Sequence, residues 1–186
     1  MASRPADLRA LAALDPAWRP WIGKLPRYPG FPDLSHPRQR THYDALAGAI
    51  VYQQLSGQAA ATIWGRVRDL TPGRHFPRAP ELLALAPKTL RGAGLSRAKV
   101  LALRDLAARI AAGRLELARL SRMSDERVIE QLVDVRGIGT WTAQMFLMFR
   151  LARPDVFAPG DLGLREGIRL LDGRRSAPDE RAAERR

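Results

Sequence analysis

The chain has 186 residues and no cysteine, which excludes disulfides, thiol catalysis, cysteine zinc sites and iron–sulfur clusters. Its three histidines show no metal-ligand spacing, and no apolar run approaches the roughly 20 residues that span a membrane. A formal charge of +12 favours a polyanionic partner such as nucleic acid, the alternative being a basic surface that reflects coding bias. The N-terminus has no secretory apolar core, so we expect a cytoplasmic protein.

Helices separated by proline and glycine are predicted along the chain, without the alternation typical of strands, so the expected fold class is all-α. A first helix covers 6–15, and five prolines break regular structure over 18–40. Apolar residues keep helical spacing over 43–70, with an interruption at Ser56 and Gly57. Short helical segments begin near 82 and 87.

The second half of the chain predicts four further elements. Ser96 caps a helix over 97–112. Ser124 begins a helix that stops at Gly137, and the next helix, 140–150, is apolar nearly all round and therefore expected to be central. Asp161 precedes another helix with apolar residues at helical spacing. The charged tail from Asp172 has no apolar stripe and is expected to be frayed.

A turn between two helices carries the most information about function. Its two glycines allow positive φ and a close approach of backbone amides to a phosphate, and the following helix directs its N-terminal amides to the same anion. The alternative is an ordinary helical hairpin in which glycine ends the first helix. The residues expected to contact nucleic acid here are Arg136, Gly137, Ile138, Gly139, Thr140 and Thr142, with Ile138 also anchoring the turn.

This hairpin resembles the helix-hairpin-helix DNA glycosylase superfamily (HhH-GPD), in particular its alkylated-base branch of the DNA-3-methyladenine glycosylase II type. The similar stretches are 47–56, 137–143 and 155–165, within about 40–171 of the chain. The resemblance implies a two-lobed helical bundle with an interlobe cleft. One lobe is 43–153, with the helix-hairpin-helix at about 124–150. The other combines 1–42 with 154–186, carries Asp161, lacks the N-terminal β-domain of some relatives, and is expected to be truncated at the C-terminus.

Asp161 matches the catalytic aspartate of that family. Its local sequence also suits a plain helix N-cap, and the two roles are compatible because a helix N-terminus keeps a carboxylate ionised. A fixed carboxylate stabilises the oxocarbenium character that develops when a glycosidic bond breaks. The resemblance therefore implies release of an alkylated purine such as 3-methyladenine from duplex DNA. Because 139–142 holds no lysine, we expect a monofunctional enzyme without strand cleavage.

Other site residues also follow from the resemblance. Trp141 and Met145 would line the base pocket, although Trp141 could equally be core. Leu55 would fill the gap left by a flipped nucleotide, the alternative being a buried Leu55, and Gln54 beside it would contact DNA. Arg97 and Lys99 would hold a further phosphate or lie on a solvated face.

The resemblance requires no cofactor, but it implies a possible structural Na⁺ or K⁺ bound by the main-chain carbonyls of Val133, Val135 and Gly137. It also implies a nucleoid-associated monomer that binds duplex DNA with a damaged base and no membrane. The alternative function is a non-catalytic or degenerate helix-hairpin-helix DNA-binding module.

Overall fold

The structure, a computed structural model, describes residues 5–24, 41–73 and 75–186. Every regular element within these ranges is helical, which confirms the all-α class. The described residues form two compact units, one drawn from Met1–Asp33 with Ala152–Arg186 and the other from Leu34–Leu151. The interlobe cleft and the lobe boundaries at 42/43 and 153/154 stay predictions. None of the described helices has the length and apolarity needed to cross a membrane.

The larger unit is built from helices that enclose an aliphatic core. Its fully buried side chains include Leu46, Ile50, Leu103, Leu132 and Leu147. A 3-10 helix, Leu117–Arg122, precedes the last two α-helices. The helices are α3 (His42–Tyr52), α4 (Gly57–Arg68), α5 (Ala79–Ala84), α6 (Pro87–Gly92), α7 (Arg97–Ala111), α8 (Asp125–Val133) and α9 (Thr140–Leu151).

Side-chain caps fix where these helices begin. The hydroxyl of Ser96 accepts from the backbone amide of Lys99, and that of Ser124 accepts from the amide of Arg127, as the sequence predicts. Thr41 forms a capping box with Asp44 at the start of α3.

Two hydrogen bonds show that α3 and α9 are antiparallel. At one end, Nε of Arg150 donates to Nδ1 of His42 over 2.9 Å, joining the end of α9 to the start of α3. At the other end, Nε2 of Gln53 donates to the carbonyl of Gly137 over 2.9 Å, just before α9 begins. The C-terminus of α3 therefore lies beside the N-terminus of α9.

The smaller unit contains α1 (Pro5–Leu14), a 3-10 turn (Pro16–Trp18), α2 (Arg19–Ile22), α10 (Leu162–Leu171) and α11 (Glu180–Glu184). Arg186 joins its two chain segments, since the guanidinium pairs with Asp15 and, over 2.8 Å, with Asp172.

Three expectations about secondary structure need correction. The tail after Asp172 is not frayed, because Asp179 caps α11 and Ala183 is 1% exposed. This helix is too short to show an apolar stripe.

The proline-rich stretch still contains α2, in which Pro20 occupies a first-turn position that needs no amide donor. Residues 25–40 of the stretch lie outside the described ranges. Helix α9 is central on one face, while Trp141 and Phe149 are nearly half exposed.

Candidate nucleic-acid interface and adjoining cavity

The hairpin between α8 and α9 has an exposed turn that is held in place by buried apolar side chains. Val135 and Ile138 are 1% and 4% exposed, so their side chains hold the turn in the core. Arg136, Gly139 and Thr140 are exposed. The amide of Ile138 donates to the carbonyl of Val135 over 3.0 Å, which closes the turn. This geometry agrees with the anchoring role predicted for Ile138, and burial argues against direct contact of its side chain with DNA.

Helix α7 contacts the hairpin and holds its backbone in place. Gly137 has φ +79°, and a Cβ at this position would lie 3.1 Å from Cβ of Ala102. The amide of Arg136 donates to Oδ2 of Asp105 over 2.9 Å, and Arg109 pairs with the same oxygen over 2.9 Å. Burial alone would raise the pKa of Asp105, but the Arg136 amide and the Arg109 guanidinium lower it overall. Asp105 is therefore an ionised acceptor that fixes the turn.

The turn that follows α3 lies against this hairpin. Gln53 makes the connecting hydrogen bond to Gly137. Gln54 adopts φ +55°, a left-handed conformation that a non-glycine residue rarely takes. Leu55 is 38% exposed, so it is not the core residue that the alternative interpretation requires. The structure thus brings Gln54 and Leu55 together with the hairpin. Gln53 was missed by the sequence analysis, since nothing local indicates a partner 84 residues away.

Lys99 fits neither of the roles expected for it. Its Nζ donates to the carbonyls of Val51 and Gln53 over 2.7 and 2.8 Å, and burial lowers the pKa of its ammonium group. An ammonium group at the end of a helix satisfies carbonyls that have no helical donor. Lys99 therefore binds the C-terminus of α3 instead of a phosphate, whereas Arg97 is exposed.

Helix α9 presents the predicted residues on different faces. Trp141 is 46% exposed in the first turn, and Met145 is half-buried. Thr142 is 7% exposed and faces inward. The expectation that it contacts DNA together with Thr140 therefore needs correction, because the helical rotation turns it away from the exposed surface on which Thr140 lies and towards a cavity.

A cavity of about 370 Å³ lies between α3, α4 and α9. Tyr52 and Thr142 line the end next to the hairpin, and Asp44 and Arg150 line the other end. Its volume is within the range of about 300–1,000 Å³ typical of small-molecule sites. The remaining lining is apolar and aromatic: Ala45, Gly48, Ala49, Trp64, Met145, Phe146 and Phe149. Trp64 stacks on Phe76 with ring centroids 4.0 Å apart.

Most of these cavity residues could not be found from motifs. Of the two predicted pocket residues, Met145 lines the cavity, and Trp141 is not among its lining side chains. Tyr52, Trp64 and Phe149 were missed because aromatic residues at helical spacing are usually core. The antiparallel pairing of α3 and α9 brings them together.

A histidine fixes the charged end of the cavity. Because Nε of Arg150 donates to Nδ1 of His42, that nitrogen carries no proton, and Nε2 is left to donate to Oγ of Ser121 at 3.2 Å. Burial and the nearby Arg150 charge both lower the pKa of His42. The ring also meets Phe146 edge-on with centroids 5.6 Å apart.

Asp161 lies in the smaller unit as the N-cap of α10. Its Oδ1 accepts from the amide of Leu164 over 2.8 Å, which confirms the predicted cap. Gly163 leaves room for this carboxylate, since a Cβ there would lie 3.1 Å from Oδ1. The side chain is partly exposed and held in one orientation by the helix.

The three carbonyls expected to hold a monovalent cation lie in the hairpin. The Gly137 oxygen accepts from Gln53, and the Val135 oxygen accepts from Ile138. Each carbonyl oxygen has two lone pairs, so one hydrogen bond leaves capacity for a cation. Hard oxygen donors of this kind suit Na⁺ or K⁺. Binding of a cation by these three carbonyls stays a prediction.

Helices α8 and α9 are joined by a glycine-containing turn, which Ile138 anchors and on which Arg136 is exposed. This arrangement defines a protein of the helix-hairpin-helix class. The model of the HhH-GPD superfamily of base excision DNA repair proteins matches residues 47–186. The chain belongs to this superfamily.

Known relatives agree with this assignment. The chain is 32% identical to DNA-3-methyladenine glycosylase 1 of Schizosaccharomyces pombe, over 87% of this chain and 70% of the relative. It is 40% identical to DNA-3-methyladenine glycosylase of Saccharomyces cerevisiae. That match covers 68% of this chain and 45% of the relative. The solved structure of S. pombe 3-methyladenine DNA glycosylase (Mag1) in complex with abasic-DNA matches with a TM-score of 0.81 and 28% identity, covering 96% of this chain and 85% of that one.

Proposed function

We propose that this protein is a monofunctional DNA glycosylase of the 3-methyladenine glycosylase II type, acting in base excision repair. It would flip alkylated purines such as 3-methyladenine out of duplex DNA and release them by hydrolysis. The observation that carries the proposal is the aromatic cavity that α9, the helix following the hairpin, forms with α3 and α4 in a chain of this superfamily. A nucleotide extruded next to the hairpin would find a site of suitable size.

Binding to the duplex rests on the exposed backbone of the hairpin. The Arg136 side chain and the first amides of α9 supply positive charge and donors for one phosphate, and the net charge of +12 adds a general attraction. Leu55, exposed on the adjoining turn, would enter the space that the flipped nucleotide leaves. Extrusion costs a few kcal/mol, and a damaged base costs less.

The cavity suits an electron-poor purine. Tyr52, Trp64 and Phe149 supply aromatic faces, and a positively charged alkylated base stacks well on such faces. The alkylated base is also a good leaving group because its departure neutralises its own charge. The aromatic lining therefore favours the substrates named for the relatives.

Asp161 would supply the chemistry. As the bond between C1′ and the base nitrogen breaks, its electron pair leaves with the base and positive charge develops on the sugar ring. The carboxylate stabilises that charge, and water adds to C1′ while losing a proton, giving the free base and an abasic site. The cap fixes the carboxylate, which a preorganised electrostatic catalyst requires.

Two further properties belong to the proposal. Positions 139–142 carry no lysine that could attack C1′ as an amine, so release should occur without strand cleavage. The carbonyls of Val133, Val135 and Gly137 would hold a Na⁺ or K⁺ ion, which would supply positive charge for binding a DNA phosphate.

Base release from methylated duplex DNA tests the proposal, with uracil and hypoxanthine duplexes assayed beside it. Free 3-methyladenine should appear, and the strand should break after alkali treatment and stay intact without it. A strand nick in the absence of alkali would contradict the monofunctional assignment. Tight duplex binding with no release of any base would instead favour the non-catalytic DNA-binding module.

A further inference from the structure

The turn that carries Leu55 has a conformation that needs support from outside itself. Gln54 sits at φ +55°, which costs an L-residue free energy relative to ordinary turn conformations. A strained backbone persists where neighbouring contacts determine it. Two side-chain contacts meet this turn, one from α7 and one to the hairpin.

The contact from α7 is made by Lys99. Its Nζ binds the carbonyls of Val51 and Gln53 at 2.7 and 2.8 Å, on either side of Tyr52. These are carbonyls at the end of α3, where the helix has run out of amide donors. The position of Leu55, two residues after Gln53, therefore depends on where α7 holds the ammonium group.

The same helix also holds the hairpin. Ala102 packs where Gly137 has no side chain, and Asp105 accepts from the amide of Arg136 at 2.9 Å. Lys99, Ala102 and Asp105 follow each other at intervals of three residues, so they lie on adjoining turns of α7. Lys99 and Asp105 are about 9 Å apart along the helix axis. The hydrogen bond from Gln53 to Gly137 then closes the connection between turn and hairpin.

We infer that α7 fixes the distance between the Leu55 turn and the hairpin, with Lys99 and Gln53 as positioning residues for nucleotide extrusion. This inference rests on the proposed role of Leu55 as the group that fills the DNA gap. A hairpin bound to phosphate locates the protein on the duplex, and a rigid connection then delivers Leu55 to one base step. Lys99 acts through Leu55 and touches no DNA.

The test uses Lys99→Met, which keeps the length of the side chain and removes its donors, and Gln53→Glu, which replaces the donating amide by an acceptor. Lys88→Met is the matched control, because Lys88 is an exposed lysine on α6. Insertion of Leu55 is measured with a duplex that carries a stable abasic analogue flanked by 2-aminopurine, whose fluorescence rises when its stacking is disturbed. Single-turnover release of 3-methyladenine and affinity for undamaged duplex are measured in parallel.

Lys99→Met and Gln53→Glu should each lower the fluorescence rise and slow base release by about tenfold, the effect of losing a hydrogen bond made by a charged or fixed group. Affinity for undamaged duplex should stay within about twofold of Lys88→Met. Because both residues act through Leu55, the double variant Lys99→Met with Leu55→Ala should be no worse than Leu55→Ala alone. If Lys99→Met unfolds, the pair Gln53→Glu and Leu55→Ala provides the same cycle.

Fully additive defects, or a loss of duplex affinity as the sole effect of Lys99→Met, would overturn the inference. Normal fluorescence and normal release in Leu55→Ala would contradict the proposed role of Leu55 in filling the DNA gap, and the inference with it. If no base is released but the fluorescence changes follow the expected pattern, the inference stands while the proposed catalysis fails.

Discussion

Gly137 is the residue of the hairpin at which a side chain is least tolerated. Its φ of +79° is left-handed, and an added methyl group would press on Ala102. Gly137→Ala should therefore lower the free energy of unfolding by about 1–2 kcal/mol and weaken duplex binding. Urea denaturation followed by circular dichroism measures the first effect, and fluorescence anisotropy measures the second.

Gly65 provides a control with the opposite sign. It lies within α4, has no left-handed φ, and its added Cβ would meet no atom within 4 Å. Gly65→Ala should stabilise the protein by about 0.5–1 kcal/mol, because alanine is the better helix former. Equal stability changes in both variants would show that the conformation of Gly137 carries no special cost.

His42 links the stability of the larger unit to pH. The pKa of this imidazole is lowered from 6.5 by burial and by Arg150, so the unfolded chain takes up its proton first as pH falls. The free energy of unfolding should decline as pH drops through 6.5 and stop declining, as far as His42 is concerned, below its folded pKa. Protonation also places a second cation against Arg150.

Denaturation between pH 5 and 8, with His42→Gln as the comparison, measures this link. Glutamine cannot titrate, so the variant should lose the part of the pH dependence near 6.5. The same slope in the variant and the natural protein would mean that other groups cause it.

At the scale of the elements, the cavity between α3 and α9 makes a prediction about the base. Ala49 lines it from α3, and Ala49→Phe would fill much of the space that a purine needs. Base release should fall at least about tenfold with little change in affinity for undamaged duplex, because the hairpin is untouched. Release of 3-methyladenine at saturating protein measures the effect.

Ala84→Phe is the control for this substitution, since Ala84 is exposed on α5 and does not line the cavity. Unchanged release by Ala49→Phe, with both variants folded, would place the base somewhere other than this cavity.

The elements also show how far the sequence could be interpreted. The caps at Ser96, Ser124 and Asp161 were predictable because a cap and its amide partner lie three residues apart. The bonds made by Lys99 and Gln53 join positions 46 to 84 residues apart, and no local pattern encodes them. The cavity could not be predicted from the sequence for the same reason, since its aromatic residues meet only when α3 and α9 pair.

The predictions from sequence were wrong where the local sequence pattern and the packing of the fold disagree. Thr142 resembles a hydroxyl donor beside Thr140, yet the helical turn carries it inward to the cavity. Helix α11 was missed because a small buried residue, Ala183, anchors it instead of a large apolar stripe. The roles of Asp161, Leu55 and the hairpin carbonyls stay predictions that experiments must decide.

At the scale of the whole molecule, the net charge of +12 predicts strongly salt-dependent binding to DNA. The logarithm of the affinity should fall linearly with the logarithm of the salt concentration, with a slope of about −0.9 for each phosphate neutralised. Arg136→Gln should reduce the steepness of that slope by about 1 and weaken binding equally for duplexes of different sequence. Lys88→Gln, which removes an exposed charge from α6, is the comparison, and an identical slope in both variants would argue against a phosphate contact by Arg136.

Base release by Asp161→Asn tests directly whether this carboxylate is catalytic. Asparagine is also a good N-cap, so α10 and the fold should be preserved while the charge of the carboxylate is removed. Release of 3-methyladenine should fall by about a hundred- to a thousandfold, with duplex affinity within about twofold of the natural protein. Release at the natural rate would contradict catalysis by Asp161 and leave it as a helix cap.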